Sequence, residues 1–368
     1  MYEGKNKGFY TMMLLVSMGL RLCMFFGVDE KLTSAAVDMV RQKEFTKAML
    51  LLETGQAAEV EVPEPDAEPV VVYMMDPIPR LQTLESVTVS PLEPEQPQQP
   101  EVEPPLLPTC LASAEDLKIV GGCTYSYDRE ALLYRPTAMD LTGNDPSILI
   151  VHTHTTEAYE PEPGWEYEPT APYRTLDETR SVVAVGERVA ENLRQAGFTV
   201  YHDATLHDYP EYNPSYWNCL ETIENQLEAH PDIQMVIDLH RDAAEDRNGN
   251  AVALCSEQGK EEVAQVMLVV GTCEGGLEHP NWEENLANAL KLQSVLDGMY
   301  PGLCRKLDLR TERFNQHATP GSILIEVGSN GNTLQQALDA ADLLSDSLIR
   351  TLDAMKLYGG TLENQEVT

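Results

Sequence analysis

From Ser147 onward the residues predict an α/β domain, a largely parallel sheet flanked by helices. Two observations predict it. Short apolar runs alternate with amphipathic stretches over this whole region. Three polar clusters sit at the ends of apolar runs, where sheets of this kind place their sites. The Pro- and Glu-rich character of the first third of the chain stops at Pro108, so the folded core belongs to the C-terminal two-thirds.

Taken in order, "SILIVH" from Ser147 predicts a short strand, and "SVVAVGERVAENLRQAG" an amphipathic helix closed by Gly197. "FTVYHD" is a second strand, followed by a helix from about Trp217 to Ala229. "IQMVIDLH" is a buried strand and "VAQVMLVVGT" another. The next helix starts at Trp282, with Asn281 and Glu284 at the N-cap and N3 positions. "SILIEVG" is the last strand, and Thr333 opens the final long helix.

The residues before Ser147 read differently. Lys5 and Lys7 precede an apolar run from Phe9 to Leu20 that resumes after Arg21 as far as Phe26, with no small-residue cleavage site beyond it. Residues 1–28 are therefore expected to be a cytoplasmic tip and a retained membrane anchor. Residues 29–56 predict an amphipathic helix. Residues 57–115 form a Pro/Glu-rich spacer that buries too little apolar surface to offset chain entropy. Residues 116–146 are a lead-in, 147–358 the main domain and 359–368 a tail.

The formal charge of −35 repels phosphate backbones, and the basic residues form no patch, which excludes nucleic-acid binding. The seven cysteines contain no C-x-x-C pair, which excludes a zinc ribbon or thioredoxin-type motif.

The three polar clusters are His152-Thr153-His154 with Glu157; Asp238 and His240 followed by Arg241 and Asp242; and Glu326. A catalytic zinc takes three imidazole or carboxylate ligands and leaves one position for water, whose pKa it lowers to about 7. His154, His240 and one carboxylate meet that need, and Glu326 on a separate strand is the candidate to move the water's proton to a leaving amine. Arg241 is read either as a fork for a substrate carboxylate or carbonyl, or as an ion-pair partner of Asp238 or Asp242. Asn315, Gln316 and His317 precede the Glu326 strand and are candidates to face the cleft. His202, His207, His230 and His279 are read as structural or exposed.

The runs "ILIVHTHTTEAY", "VVAVGERVAENL", "HDYPEYNPSYWNCLETI", "VIDLHRDA", "HPNWEENLANALKLQ" and "RFNQHATPGSILIEVGSNGNT" resemble the stage II sporulation protein P family, from Ser147 to Met355 in family order. That family is similar in turn to the amidase type 3 cell-wall hydrolases, which implies an amidase type 3-like, phosphorylase/hydrolase-like domain. The resemblance implies zinc-dependent cleavage of the amide between N-acetylmuramic acid and L-alanine and, for the sporulation family, of peptide cross-links too. It places His154 and His240 on the metal and Glu326 as catalytic base. The third ligand by family offset is Asp177, with Glu157 and Glu178 as alternatives. It also implies peptidoglycan as substrate, stage II sporulation proteins D and M as partners, and a membrane-anchored enzyme facing outward at the engulfing septum. A zinc peptidase confined to stem peptides and a wall-binding scaffold without catalysis are the competing readings.

Overall fold

The apolar runs of the C-terminal region become neighbours in a single seven-stranded sheet. The computed structural model describes residues 105–141 and 146–363. In chain order the strands are β1 (Ile119–Val120), β2 (Ser147–Val151), the hairpin β3 (Pro169–Ala171) and β4 (Arg174–Thr175), β5 (Val200–His202), β6 (Ile233–Asp242), the hairpin β7 (Cys255–Gln258) and β8 (Glu261–Ala264), β9 (Val266–Gly271), β10 (Leu307–Arg310) and β11 (Ile323–Ser329). The helices are α1 (Arg129–Tyr134), α2 (Val182–Gln195), α3 (Ser215–Ala229), α4 (Trp282–Met299) and α5 (Leu334–Leu357).

The sheet order is β1-β10-β9-β11-β6-β2-β5. Every neighbouring pair is parallel except β11 with β9. The predicted mostly parallel sheet flanked by helices is the observed architecture. Because β2, β6 and β11 run the same way, their C-terminal ends share one edge, and the three polar clusters come together there.

Side chains alternate between the two faces of a strand, and the two faces here are covered unequally. Ile148, Ile150, Ile237, Leu239, Leu268, Val270, Ile325 and Val327 join the large core with the buried residues of α2, α4 and α5. On the other face, Leu149, Val151 and Val236 pack with Cys219 and Ile223 of α3. Met267, Val269 and Leu324 form a separate small cluster with Phe314. That second face, with α3 packed over β2 and β6, also carries Asp238, His240 and Glu326.

Local signals explain the helix ends. Ser181 accepts from Val183 N at the start of α2, and Gly197 follows its end at φ +99, a left-handed stop. Thr333 and Gln336 form a reciprocal capping box on α5. Asn281 does precede α4, but its side chain makes no capping bond, and Glu284 is drawn instead to Arg135 at 3.0 Å.

Two expectations need correction. "VAQVMLVVGT" is not one strand: it breaks at Gln265, whose N–H donates to Leu254 O and whose carbonyl accepts from Gly328 N, so that β8 belongs to a hairpin and β9 to the sheet. The domain start at Ser147 also falls inside the folded unit. Leu117 is fully buried, β1 pairs with β10 at the sheet edge, and Leu362 of the tail is buried in the same core. An edge strand of two residues whose partner lies nearly 190 positions away leaves no periodic signal in the sequence.

The expected anchor, the amphipathic helix of residues 29–56 and the spacer as far as residue 104 lie outside the described residues. Among those described, no helix is long and apolar enough to cross a membrane.

Candidate active site

His154 and Glu157 belong to the turn that follows β2, where the chain leaves the sheet. Thr153 binds this turn to β6: its N–H donates to Asp238 Oδ1 at 2.8 Å and its hydroxyl to Asp238 Oδ2 at 2.6 Å. One turn later Thr156 does the same with Asp208, through N–H at 3.1 Å and hydroxyl at 2.7 Å. These threonines explain why "HTHTTE" holds one shape, since two buried carboxylates anchor alternate ends of it.

The turn presents His154 to His240 of β6, with ring centroids 5.3 Å apart and the planes nearly perpendicular. Glu157 Oε2 lies 3.4 Å from His240 Nδ1. Asp238 Oδ1 lies 2.9 Å from His240 Nε2, close enough for an ion pair but outside hydrogen-bond directions, so Nε2 has no hydrogen-bond partner. Glu326 stands in register with His240 across the parallel β11–β6 ladder. Its Oε2 is buried and unpartnered, as is Nδ1 of His154.

Electrostatics sort these groups. Burial acts against the Glu157 carboxylate, but Arg241 and His240 outweigh it and hold the group well below the usual carboxylate range. Burial also works against a charged His240, yet Asp238 and Glu157 keep its imidazolium well above the ordinary value. His154 goes the other way: burial lowers it to about 4, so its ring is neutral. Burial, reinforced by the Glu157 and Asp242 charges against the opposing pull of His240, raises Glu326 to about 8. The side chain is only partly shielded from solvent, because it opens onto a cavity.

The structure places the other sequence candidates elsewhere. Asp177 is exposed and caps a short 3-10 turn, accepting from the N–H and hydroxyl of Thr179 at 3.0 and 2.7 Å. Glu178, in that turn, is exposed as well. Of the three carboxylates weighed for the third position, Glu157 is the one brought to the histidines; the family offset counted residues, whereas the Thr153 and Thr156 anchors decide where the turn folds back. Arg241 is buried and already engaged: Nε donates to Ala158 O and Nη2 to Tyr173 O, each at 3.0 Å, and its ion partner is Glu157 rather than Asp238 or Asp242. Its donors hold the turn together instead of facing a substrate.

His152 is fully buried, with Nδ1 on Leu239 O at 2.8 Å and Nε2 2.9 Å from His202 Nε2. His207 contacts His152 O and Thr222. Gln316 is spent on the Gly271 N–H and Val269 O, and Asn315 donates to Tyr216 O.

Several participants had no sequence signal of their own. Arg174 reaches Asp208 at 2.6 Å and lies 3.7 Å from Glu157. Tyr212 stacks on His154 at 4.5 Å with its hydroxyl 3.0 Å from Nε2, and Tyr216 meets the same ring edge-on. The run "HDYPEYNPSYW" carried them, but without periodicity it showed no reason to converge on His154.

The model of the family described as Stage II sporulation protein P matches residues 82–349. The chain belongs to that family. A curated relative, stage II sporulation protein P of Bacillus subtilis (strain 168), is 27% identical over 216 residues, 56% of this chain. The matched part spans about half of that relative's own length (51%). Among solved structures, the chain is similar to the N-acetylmuramyl-L-alanine amidase Ami1 of Mycobacterium smegmatis (TM-score 0.33, 10% identity, 56% of this chain and 95% of that one). It is similar also to the CwlD amidase of Clostridioides difficile, solved with the GerS lipoprotein (TM-score 0.28, 16% identity, 59% and 96%). The overlaps are loose at these scores, and the fold stands on the sheet order given above.

The donor types fit a divalent cation. Two imidazoles and a carboxylate lie side by side, and His154 Nδ1 is a buried nitrogen without a partner. Among the described residues, however, no group of three or more His, Cys, Asp or Glu converges closely enough to hold an ion. His240 must also give up its proton before its lone pair is free.

Proposed function

We propose that the chain is a peptidoglycan hydrolase of the N-acetylmuramoyl-L-alanine amidase type, acting on the cell wall during sporulation. The observation that carries this reading is the meeting of His154, Glu157, His240 and Glu326 on the face of the sheet that also holds the cavity, in a chain of this family. Zinc is the expected cofactor, held by His154, His240 and Glu157, where it would supply an acidified water and polarise the scissile carbonyl.

The chain's own residues divide the remaining work. Asp238, held by two hydrogen bonds from Thr153, lies 2.9 Å from His240 Nε2 and keeps the ring oriented. Arg241 and Arg174 neutralise Glu157 and fix its side chain, so that the carboxylate does not swing into solvent. Glu326, whose raised carboxyl releases its proton only as the pH approaches 8, in its ionised form accepts the proton of the attacking water and returns it to the leaving amine. The aromatic rings of Tyr212 and Tyr216 screen His154 from bulk water, which strengthens every charge interaction at the site.

The test is elemental analysis for zinc on the purified chain, with mass spectrometry of products from cross-linked peptidoglycan, for wild type and Glu326→Ala. About one zinc per chain, free stem peptides from the wild type and none from the variant support the amidase reading. Products that keep L-alanine on the sugar favour a stem peptidase. Equal cleavage by both proteins, or no cleavage by either, removes the proposed mechanism.

A further inference from the structure

Two loops meet near the start of β11. The one that leads into α4 carries His279, and the one that follows β10 carries Arg313 and His317. Asn281 Nδ2 donates to His317 O at 3.3 Å, and Arg313 Nη1 donates to Glu278 O at 3.2 Å, so Arg313 and His317 are tied to the chain on either side of His279. His279 is 2% exposed, and neither of its ring nitrogens has a hydrogen-bond partner. Nδ1 of His317 and Nε of Arg313 are buried and unpartnered as well. Native interiors avoid such a concentration of unpartnered nitrogens, because each one has given up water for nothing.

The charges that act on these groups have one sign. Burial first, then His317 and Arg313, lower His279 to about 4. Burial and then Arg313 lower His317, and burial lowers Arg313. Among the described residues no carboxylate acts on any of the three. Their acidic neighbours in sequence are engaged elsewhere: Glu312 with Arg310 at 3.2 Å, and Glu283 and Glu284 with Arg135, each at 3.0 Å. Asn281, at the N-cap of α4, makes no side-chain capping bond, so the first-turn N–H groups of that helix add partial positive charge. In a chain of net charge −35 this is a local reversal of sign.

That reversal selects the ligand. A guanidinium has five N–H donors and no acceptor, so beside the two rings it repels a metal ion. A carboxylate offers two oxygens in one plane. A phosphate offers oxygens in several directions and, as a monoester, about −1.5 to −2 of charge, which suits an arginine and two imidazoles together.

We propose that His279, His317 and Arg313 form a binding site for a phosphate group, separate from the residues that meet at His154, His240 and Glu326. The phosphate accepts from both rings and from the guanidinium, and its charge lets the rings hold the protons that burial and Arg313 deny them. The site does not depend on the amidase reading.

Calorimetry on the full chain in phosphate-free buffer tests this, with inorganic phosphate, methyl phosphate, dimethyl phosphate and acetate as probes. The proteins are wild type, Arg313→Gln, His317→Gln and His279→Phe. Inorganic phosphate is expected to bind wild type with a Kd below about 1 mM, about tenfold or more tightly than acetate, and each variant to weaken it by about tenfold. It is also expected to raise the Tm of wild type and to leave that of His279→Phe unchanged. Dimethyl phosphate bound as well as methyl phosphate identifies a phosphodiester, as in a polymer or a lipid headgroup; a preference for methyl phosphate identifies a free or terminal phosphate; both support the site. No phosphate binding by wild type, equal affinity for acetate, or an affinity unchanged in Arg313→Gln or in His317→Gln overturns it. A zinc content lower in His317→Gln than in wild type also overturns it, by making the rings metal ligands. Arg313 and His317 are only half-buried, so their variants serve even if His279→Phe fails to fold.

Discussion

Glu326 of β11 pairs in register with His240 of β6, on the adjacent strand and the same face of a parallel ladder, and both groups hold their protons, the ring as a cation and the carboxyl as a neutral acid. His240 keeps its proton against burial because two carboxylates flank it, while Glu326 keeps its own because burial costs more than His240 repays. One strand spacing thus sets a charged ring beside a neutral carboxyl.

Glu326→Gln is expected to lower hydrolysis by about 10²–10⁴-fold, the range of a positioned acid-base group. The fold persists, since the amide is isosteric with the protonated acid it replaces. Steady-state kinetics alongside circular dichroism checks this, and a variant within threefold of wild type refutes the role.

The third-ligand assignment separates two carboxylates. Glu157→Gln is expected to lose bound zinc after dialysis and to destabilise the chain by about 3–5 kcal/mol, because Arg241 is left buried beside a neutral group. Asp177→Ala loses only a cap, about 1 kcal/mol, and keeps its zinc. Metal analysis of both variants decides between them, and zinc loss in Asp177→Ala alone would reverse the assignment.

Gly186 of α2 faces the His152 ring, where an added Cβ would come within 2.6 Å of Cε1 and Nε2. Alanine in a helix interior usually stabilises it by about 1 kcal/mol over glycine. Here Gly186→Ala is expected to destabilise by about 1–3 kcal/mol, the cost of overpacking, since hydrogen bonds on both sides hold the His152 ring in place. Urea unfolding of the two proteins gives the sign directly.

Burial raises the Asp297 carboxyl to about 6 from an ordinary value of 3.8. The folded chain therefore keeps a proton that the unfolded chain releases. That contribution to stability is present below pH 3.8 and is lost as pH rises through 6. Asp297→Asn is expected to raise the melting temperature at a pH well above 6 and to change it little near pH 3.8. Equal shifts at both would show that the carboxyl is not perturbed.

Lys291 is wholly buried in α4, its Nζ reaching Ala287 O at 3.4 Å, and burial lowers it to about 8 from 10.5. Below pH 8 the folded state bears the cost of a buried charge, so Lys291→Met is expected to stabilise the chain there. The advantage narrows as pH climbs from 8 toward 10.5, where wild type recovers. Thermal melts across that range test the sign.

Much of this protein was legible from its sequence. Apolar runs and helical periodicity marked β2, β6, β11, α2, α4 and α5, because burial on a sheet or along a helix repeats at short range. Thr333 and Gly197 marked helix ends because capping is a contact between near neighbours. His154, His240 and Glu326 stood out as polar residues at the ends of apolar strands. What the tertiary structure decided involves residues far apart in the chain: β1 finding β10, Asp208 anchoring Thr156, and the choice of Glu157 over Asp177. Those depend on where turns close and on which buried charges can be paired, and no local period encodes either. The unequal covering of the sheet, with α2, α4 and α5 against one face and α3 against the other, belongs to the same class. It is this covering that leaves Glu326 beside a cavity.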